Sequence, residues 1–112
     1  MSDPHCVFCK IVSGQLPAEM IYTDNHTLAF KPKEPAAPTH VIVILRTHRA
    51  RIHELDTLDV ADLFGTVGLV TEQLGLHDSG YRLVSNNGPA AGQTVHHAHV
   101  HILGGAMLPP IG

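Results

Sequence analysis

Tryptophan is missing from this chain, and three Phe and two Tyr are all its aromatic residues. Aromatic stacking is therefore not its main resource for holding a ligand. Cationic side chains are scarce too: seven Lys and Arg against ten acids give a formal net charge of -3. No basic stripe of the kind that binds nucleic acid is visible, so no nucleic-acid partner is expected. An anion bound here has to be held by backbone N–H groups and a few side chains. The longest purely aliphatic run, Val41 to Leu45, is far too short to span a bilayer, and no membrane partner is expected. The opening Met1-Ser2-Asp3-Pro4-His5 has no basic or apolar signal segment, so a cytoplasmic location is expected. Only two cysteines occur, Cys6 and Cys9, in a single C-x-x-C that is not a disulfide framework.

What remains is an apolar fraction of 44% with 15% charged residues in 112 positions, a composition that implies one globular domain over residues 1–112. The pattern predicts a short helix over residues 7–13, stopped by Gly14 with Pro17 beyond. Met20 to Thr23 and Thr27 to Lys31 read as strands joined at Asp24-Asn25-His26, and Val41 to Leu45 as a buried strand. Thr57 is the expected N-cap of a long helix reaching about Leu76, with Leu63, Val67, Val70 and Leu74 along one face. Gly65 and Gly68 interrupt it, which reads either as tolerated weakness or as close backbone approach to another element or subunit. Gly80 to Ser85 and Val95 to Leu103 complete five strands. The fold class is α+β: a five-stranded antiparallel sheet with one long helix and a short N-terminal helix.

Histidine is the outlier, with ten copies, four of them between His96 and His101. On a strand, His97, His99 and His101 share one face while Ala98, Val100 and Ile102 point into the core, giving an open row of imidazoles at about 6.6–6.8 Å spacing. A neutral imidazole has a lone pair that can attack phosphorus and then leave, and a neighbouring histidine can bond the phosphate or protonate the leaving group. The rival reading is a metal site. The ends of H-x-H-x-H lie about 13 Å apart on a flat strand, so three histidines cannot easily share one ion with Zn–N near 2.0–2.1 Å.

Before that strand, Asn86 to Thr94 is Gly-rich. Gly92 allows close approach to a ligand, Gln93 and Thr94 can donate to phosphate oxygens, and Asn86 can bond a sugar or the phosphate. Cys6 and Cys9 have metal-ligand spacing and supply half a tetrahedral site, with His5, His40, His48 and His97 as candidates for the rest; a redox pair is the other reading.

The run His97-Ala98-His99-Val100-His101-Ile102-Leu103 matches H-φ-H-φ-H-φ-φ with φ apolar, and the chain resembles the histidine triad (HIT) superfamily. The likeness extends from Cys6-Val7-Phe8-Cys9-Lys10-Ile11 through Pro38-Thr39-His40-Val41 to Gly104-Gly105. It is nearest to the zinc-containing histidine triad nucleotide-binding branch. That resemblance implies a HIT-like fold, a homodimer that continues the sheet, and hydrolysis of purine nucleoside phosphoramidates or adenylated compounds to a nucleoside monophosphate. It implies His99 as nucleophile forming a nucleotidyl-histidine, His101 at the α-phosphate and leaving group, and His40 and His97 completing the cluster. It implies phosphate contacts from Gly92, Gln93 and Thr94, a sugar or phosphate contact from Asn86, a base pocket of Val7, Phe8, Ile11 and Phe30, and structural zinc on Cys6, Cys9, His48 and His97.

Two positions depart from the family. Pro32 stands where relatives carry the Asp that binds the ribose hydroxyls, with Glu34 the nearby candidate to replace it, and Pro offers neither carboxylate nor N–H. The alternative function is therefore a nucleotide-binding or interaction module with little catalysis. The tail, Ala106 to Gly112, lacks the Trp that shapes the partner's pocket in close relatives, so substrate preference is expected to differ.

Overall fold

The computed structural model describes residues 2–111. Five strands, β1 (Glu19–Thr23), β2 (Thr27–Lys31), β3 (Thr39–Leu45), β4 (Arg82–Val84) and β5 (His99–Gly104), form one antiparallel sheet in the order β1-β2-β3-β5-β4. Helices α1 (Val7–Val12), α2 (Thr57–Gln73) and the single turn α3 (Leu76–Ser79) complete the regular structure. Among the described residues no helix is long and apolar enough to cross a membrane.

The β1–β2 turn is held by Asp24, whose carboxylate accepts from the backbone N–H of His26 and Thr27 at 2.8 Å each. In β3 a seven-residue run rich in β-branched side chains becomes the central strand, pairing β2 on one side and β5 on the other. Its side chains alternate between two covered faces. Val41, Val43 and Leu45 join Val100 and Ile102 under Leu63, Val67 and Val70 of α2. Ile42 and Ile44 join Leu28, Phe30, Cys6, Phe8 and Cys9 on the opposite face. Each fully buried aliphatic side chain of this kind contributes about 1.5–3 kcal/mol.

Three expectations are corrected. The N-cap of α2 is Asp56, not Thr57: its carboxylate accepts from Asp59 N–H while Asp59 accepts from the Asp56 N–H, a reciprocal pair that Thr57 cannot form. The long helix stops at Gln73, where Gly75 turns the chain at φ 70° into α3. The last strand begins at His99 rather than Val95, because Ala98 N–H donates to the Arg49 carbonyl at 2.6 Å and draws residues 95–98 out of the sheet. The other strands and α1 lie within two residues of their expected ends. No atom of another element lies within 4 Å of a Cβ built on Gly65 or Gly68, so neither glycine serves an intramolecular close approach.

Candidate active site

The pairing of β3 with β5 sets Ile44 opposite His99, Ile42 opposite His101 and His40 opposite Leu103, so His40, His99 and His101 share one face. That face is not the open row expected from the alternation. His97 is 1% exposed and His99 7%, because α1 lies across them. The Phe8 ring meets both edge-on, with centroids 5.9 Å from His97 and 5.1 Å from His99. His97, preceding the strand, turns toward the cysteines instead of extending the row.

Backbone partners assign the protons on these rings. A carbonyl only accepts, so His99 carries its proton on Nδ1, 2.6 Å from the His97 carbonyl, and its Nε2 keeps a lone pair. A backbone amide only donates, so Ala36 N–H at 2.9 Å makes His40 Nδ1 the acceptor and places the His40 proton on Nε2. That N–H donates to His101 Nδ1 at 2.9 Å, which leaves the His101 proton on Nε2. Among the described residues neither His99 Nε2 nor His101 Nε2 has a protein partner, and no buried side-chain nitrogen or oxygen is left without one. Both atoms therefore reach solvent although the His99 ring is covered. The two rings lie 5.0 Å apart, centre to centre.

Burial pushes His40, His99 and His101 below the ordinary histidine range. For His101 the descent reaches about 4, with burial the largest cause and the charges of His99 and His40 adding to it. The cluster is uncharged at neutral pH, the state in which a ring nitrogen can act as a nucleophile.

The ligand atoms of Cys6, Cys9, His48 and His97 all lie within 4.8 Å of one another. Cys6 Sγ is 3.5 Å from His97 Nδ1, and Cys9 Sγ is 3.3 Å from His48 Nδ1 and 3.6 Å from His97 Nδ1. Tetrahedral zinc with Zn–S near 2.3 Å and Zn–N near 2.0–2.1 Å holds sulfur and nitrogen about 3.6 Å apart, so the donor set and its spacing fit. His97 Nε2–H donates to the Leu45 carbonyl at 2.8 Å, aiming the Nδ1 lone pair at the sulfurs. Backbone N–H groups of Cys9 and Asp3 point at the two sulfurs. Without a metal, burial raises the Cys6 pKa, and burial, with the charges of His48 and His99 adding, lowers His97 to about 4. Of the four candidate histidines, His48 and His97 join the cysteines. His40 sits with His101 instead, and His5 is exposed.

The Gly-rich loop divides its roles. Gly92 ends a short turn at φ 76°, exposed, with nothing within 4 Å of a Cβ built there. Gln93 is buried and its carboxamide is fully engaged: Oε1 accepts from Gly88 N–H, and Nε2 donates to the Ala50 and Val95 carbonyls. Its side chain holds the loop and has no donor left for a phosphate. Thr94 is exposed on a small cavity of about 220 Å³ that also touches His96, and Asn86 is half-buried. Asn87, which the sequence did not single out, accepts from Ile52 N–H at 2.8 Å and ties the loop to the chain after β3. An apolar cavity of about 500 Å³ is lined by Val7, Phe8, Ile11 and Phe30, so the four residues that the resemblance assigned to a base pocket lie together. Ile42 and Lys33 also line it. Ile42 could have been found from strand register, since it lies opposite Phe30. Glu34 is exposed and does not line this cavity.

Residues 13–108 match the HIT domain. The chain belongs to the HIT domain family. An uncharacterised HIT-like protein of Rickettsia prowazekii is 40% identical over 112 residues, covering 96% of this chain and 93% of its own. A 14 kDa zinc-binding protein of Zea mays is 37% identical over 117 residues, covering 98% and 91%. A solved HIT family hydrolase from Clostridium thermocellum superposes with TM-score 0.92 at 41% identity, covering 98% of each chain. The sheet and helices described above are thus the HIT fold, and the Cys/His cluster occurs in a family with a zinc-binding member.

Proposed function

We propose that this HIT protein hydrolyses purine nucleoside phosphoramidates or related adenylated compounds and releases a nucleoside monophosphate through a nucleotidyl-His99 intermediate. One observation carries the reading: an outward lone pair on His99 Nε2, set by the His97 carbonyl that only accepts, beside an outward N–H on His101 Nε2, set through His40 by the Ala36 amide that only donates. The hydrolase neighbours in the family support it.

His99 Nε2 forms a bond to phosphorus, and the bond to the leaving nitrogen or oxygen breaks with its electron pair. His101 Nε2–H donates to the phosphate oxygens or the departing atom, while His40 holds the His101 ring in place. A departing carboxylate needs no proton, and a departing amine takes one from solvent. The positive charge left on His99 is shared with Nδ1–H, which the His97 carbonyl accepts. Water then attacks phosphorus, the P–N bond returns its electron pair to Nε2, and the water's surplus proton leaves to solvent. Phe8, Ile11 and Phe30 receive the base, and Asn86, Gly92 and Thr94 are the contacts for sugar and phosphate.

In this reading Cys6, Cys9, His48 and His97 hold a structural zinc. When bound, the metal cross-links the N-terminal segment to the segment before β5 and keeps His97 Nδ1 from a proton. The active form is a homodimer. Edge strand β4 has an unpaired side carrying exposed Leu83, and α2 exposes Phe64 and Leu69 beside Gly65 and Gly68, which favours a second copy.

The test is His99→Ala. Turnover of an adenosine phosphoramidate should fall by roughly 10⁴-fold or more with an unchanged far-ultraviolet spectrum. Retained turnover in the folded variant contradicts the nucleophile. Pro32 favours a second reading, a nucleotide-binding module with little catalysis; it requires AMP binding by calorimetry with negligible turnover of several leaving groups by the unmodified protein.

A further inference from the structure

The apolar cavity is walled by Phe8, Ile11, Phe30 and Ile42, but its polar rim is Glu19, Lys31 and Lys33 around Pro32. A free ribose diol needs an acceptor for its two hydroxyls, usually a carboxylate. Glu19 is the only acid lining this cavity among the described residues, and its carboxylate is paired with Lys31 Nζ at 3.2 Å. Pro32 contributes no N–H. Lys33 makes no ion pair among the described residues and is exposed. The rim thus offers one ammonium without an ion-pair partner, while its one carboxylate shares an oxygen with Lys31.

There is room for a substituent at this point. A second cavity, of about 410 Å³, shares Glu19, Lys31, Pro32 and Lys33 with the first and runs on to His40. Lys33 therefore lines both the apolar cavity and the cavity that reaches His40.

We propose that Lys33 is a specificity-determining residue that selects nucleotides bearing a phosphate on a ribose hydroxyl over nucleotides with a free diol. This deepens the proposed function and rests on the apolar cavity receiving the base. The attraction is between an ammonium and a phosphate at a solvent-facing rim, so it is modest and screened by salt.

Calorimetric titration of the full chain at low salt with AMP, 2′-deoxy-AMP, adenosine 2′,5′-bisphosphate and adenosine 3′,5′-bisphosphate tests this. At least one bisphosphate should bind roughly three- to fivefold tighter than AMP, and the two isomers report which hydroxyl carries the selected group. Deoxy-AMP should bind within about twofold of AMP, because no acceptor is lost with the hydroxyl. Lys33→Gln should bring the bisphosphate-to-AMP ratio to about one, as should raising the salt well above about 0.1 M. Bisphosphates binding no tighter than AMP, a ratio unchanged in Lys33→Gln, or a large loss with deoxy-AMP each overturns the role of Lys33 while AMP binding leaves the nucleotide site standing. Failure of every nucleotide to bind overturns both.

Discussion

At the scale of single residues, the site is a set of proton positions. His40, His99 and His101 are chemically the same side chain, yet an amide at one end and a carbonyl at the other leave a lone pair on His99 Nε2 and a proton on His101 Nε2. The cluster's pKa values make this arrangement robust to acid. With His101 held near 4 in the free protein, its protonation should leave kcat/KM unaffected from neutral pH down to about 5 and reduce it only as pH approaches about 4. A His101 ring that titrates near about 6.5 by NMR would contradict its burial. Stability follows the same shift. An unfolded histidine titrates near 6.5 whereas folded His101 stays neutral to about 4, so between these values the unfolded chain binds more protons. Stability from this group is full above about 6.5 and lost progressively as pH falls toward about 4, and urea midpoints across that range should decline. The relation of His99 to His101 was legible in the sequence because period two is a property of the strand itself. The turn of His97 toward Cys6 was implied by the resemblance but not by the alternation, because it depends on a contact between residues 91 apart.

At the scale of elements, α1 and α2 cover opposite faces of one sheet, and each is positioned by its first turn. In α1 the cap is Cys6, whose sulfur takes the Cys9 N–H, so the C-x-x-C of the Cys/His cluster also starts the helix that carries Phe8 over His99. In α2 the reciprocal pair of Asp56 and Asp59 plays that part, and Asp56→Ala should cost about 1 kcal/mol, lowering the melting temperature by roughly 4–8 °C. An unchanged melting temperature would show the cap to be idle. Strands β1 and β2 were legible from the turn residues between them, and β3 from its β-branched run. The start of β5 was misread because Val95 to Ala98 has strand-like residues but gives its Ala98 amide to Arg49, a partner that no local pattern reveals. The burial of the histidine face was missed for the same reason: the covering helix lies some 90 residues earlier in the chain.

At the scale of the whole molecule, the proposed zinc site joins the segment before α1, the chain after β3 and the segment before β5, so metal and fold should be coupled. Removing zinc should lower the melting temperature by several degrees, since a ligand at about 100 times its Kd contributes about 2.7 kcal/mol. Metal analysis should give one zinc per chain, and a chelator without effect on melting would contradict the site. Gly68→Leu at the exposed face of α2 should shift sedimentation toward the monomer if a second copy packs there, and leave it unchanged if the glycine is merely tolerated. The central claim is tested most directly by trapping the intermediate. Protein mixed with an adenosine phosphoramidate, quenched within a turnover and measured by intact mass and peptide mapping should carry one adenylyl group on His99. Steady turnover with no adduct, or an adduct on a different side chain, would contradict the account.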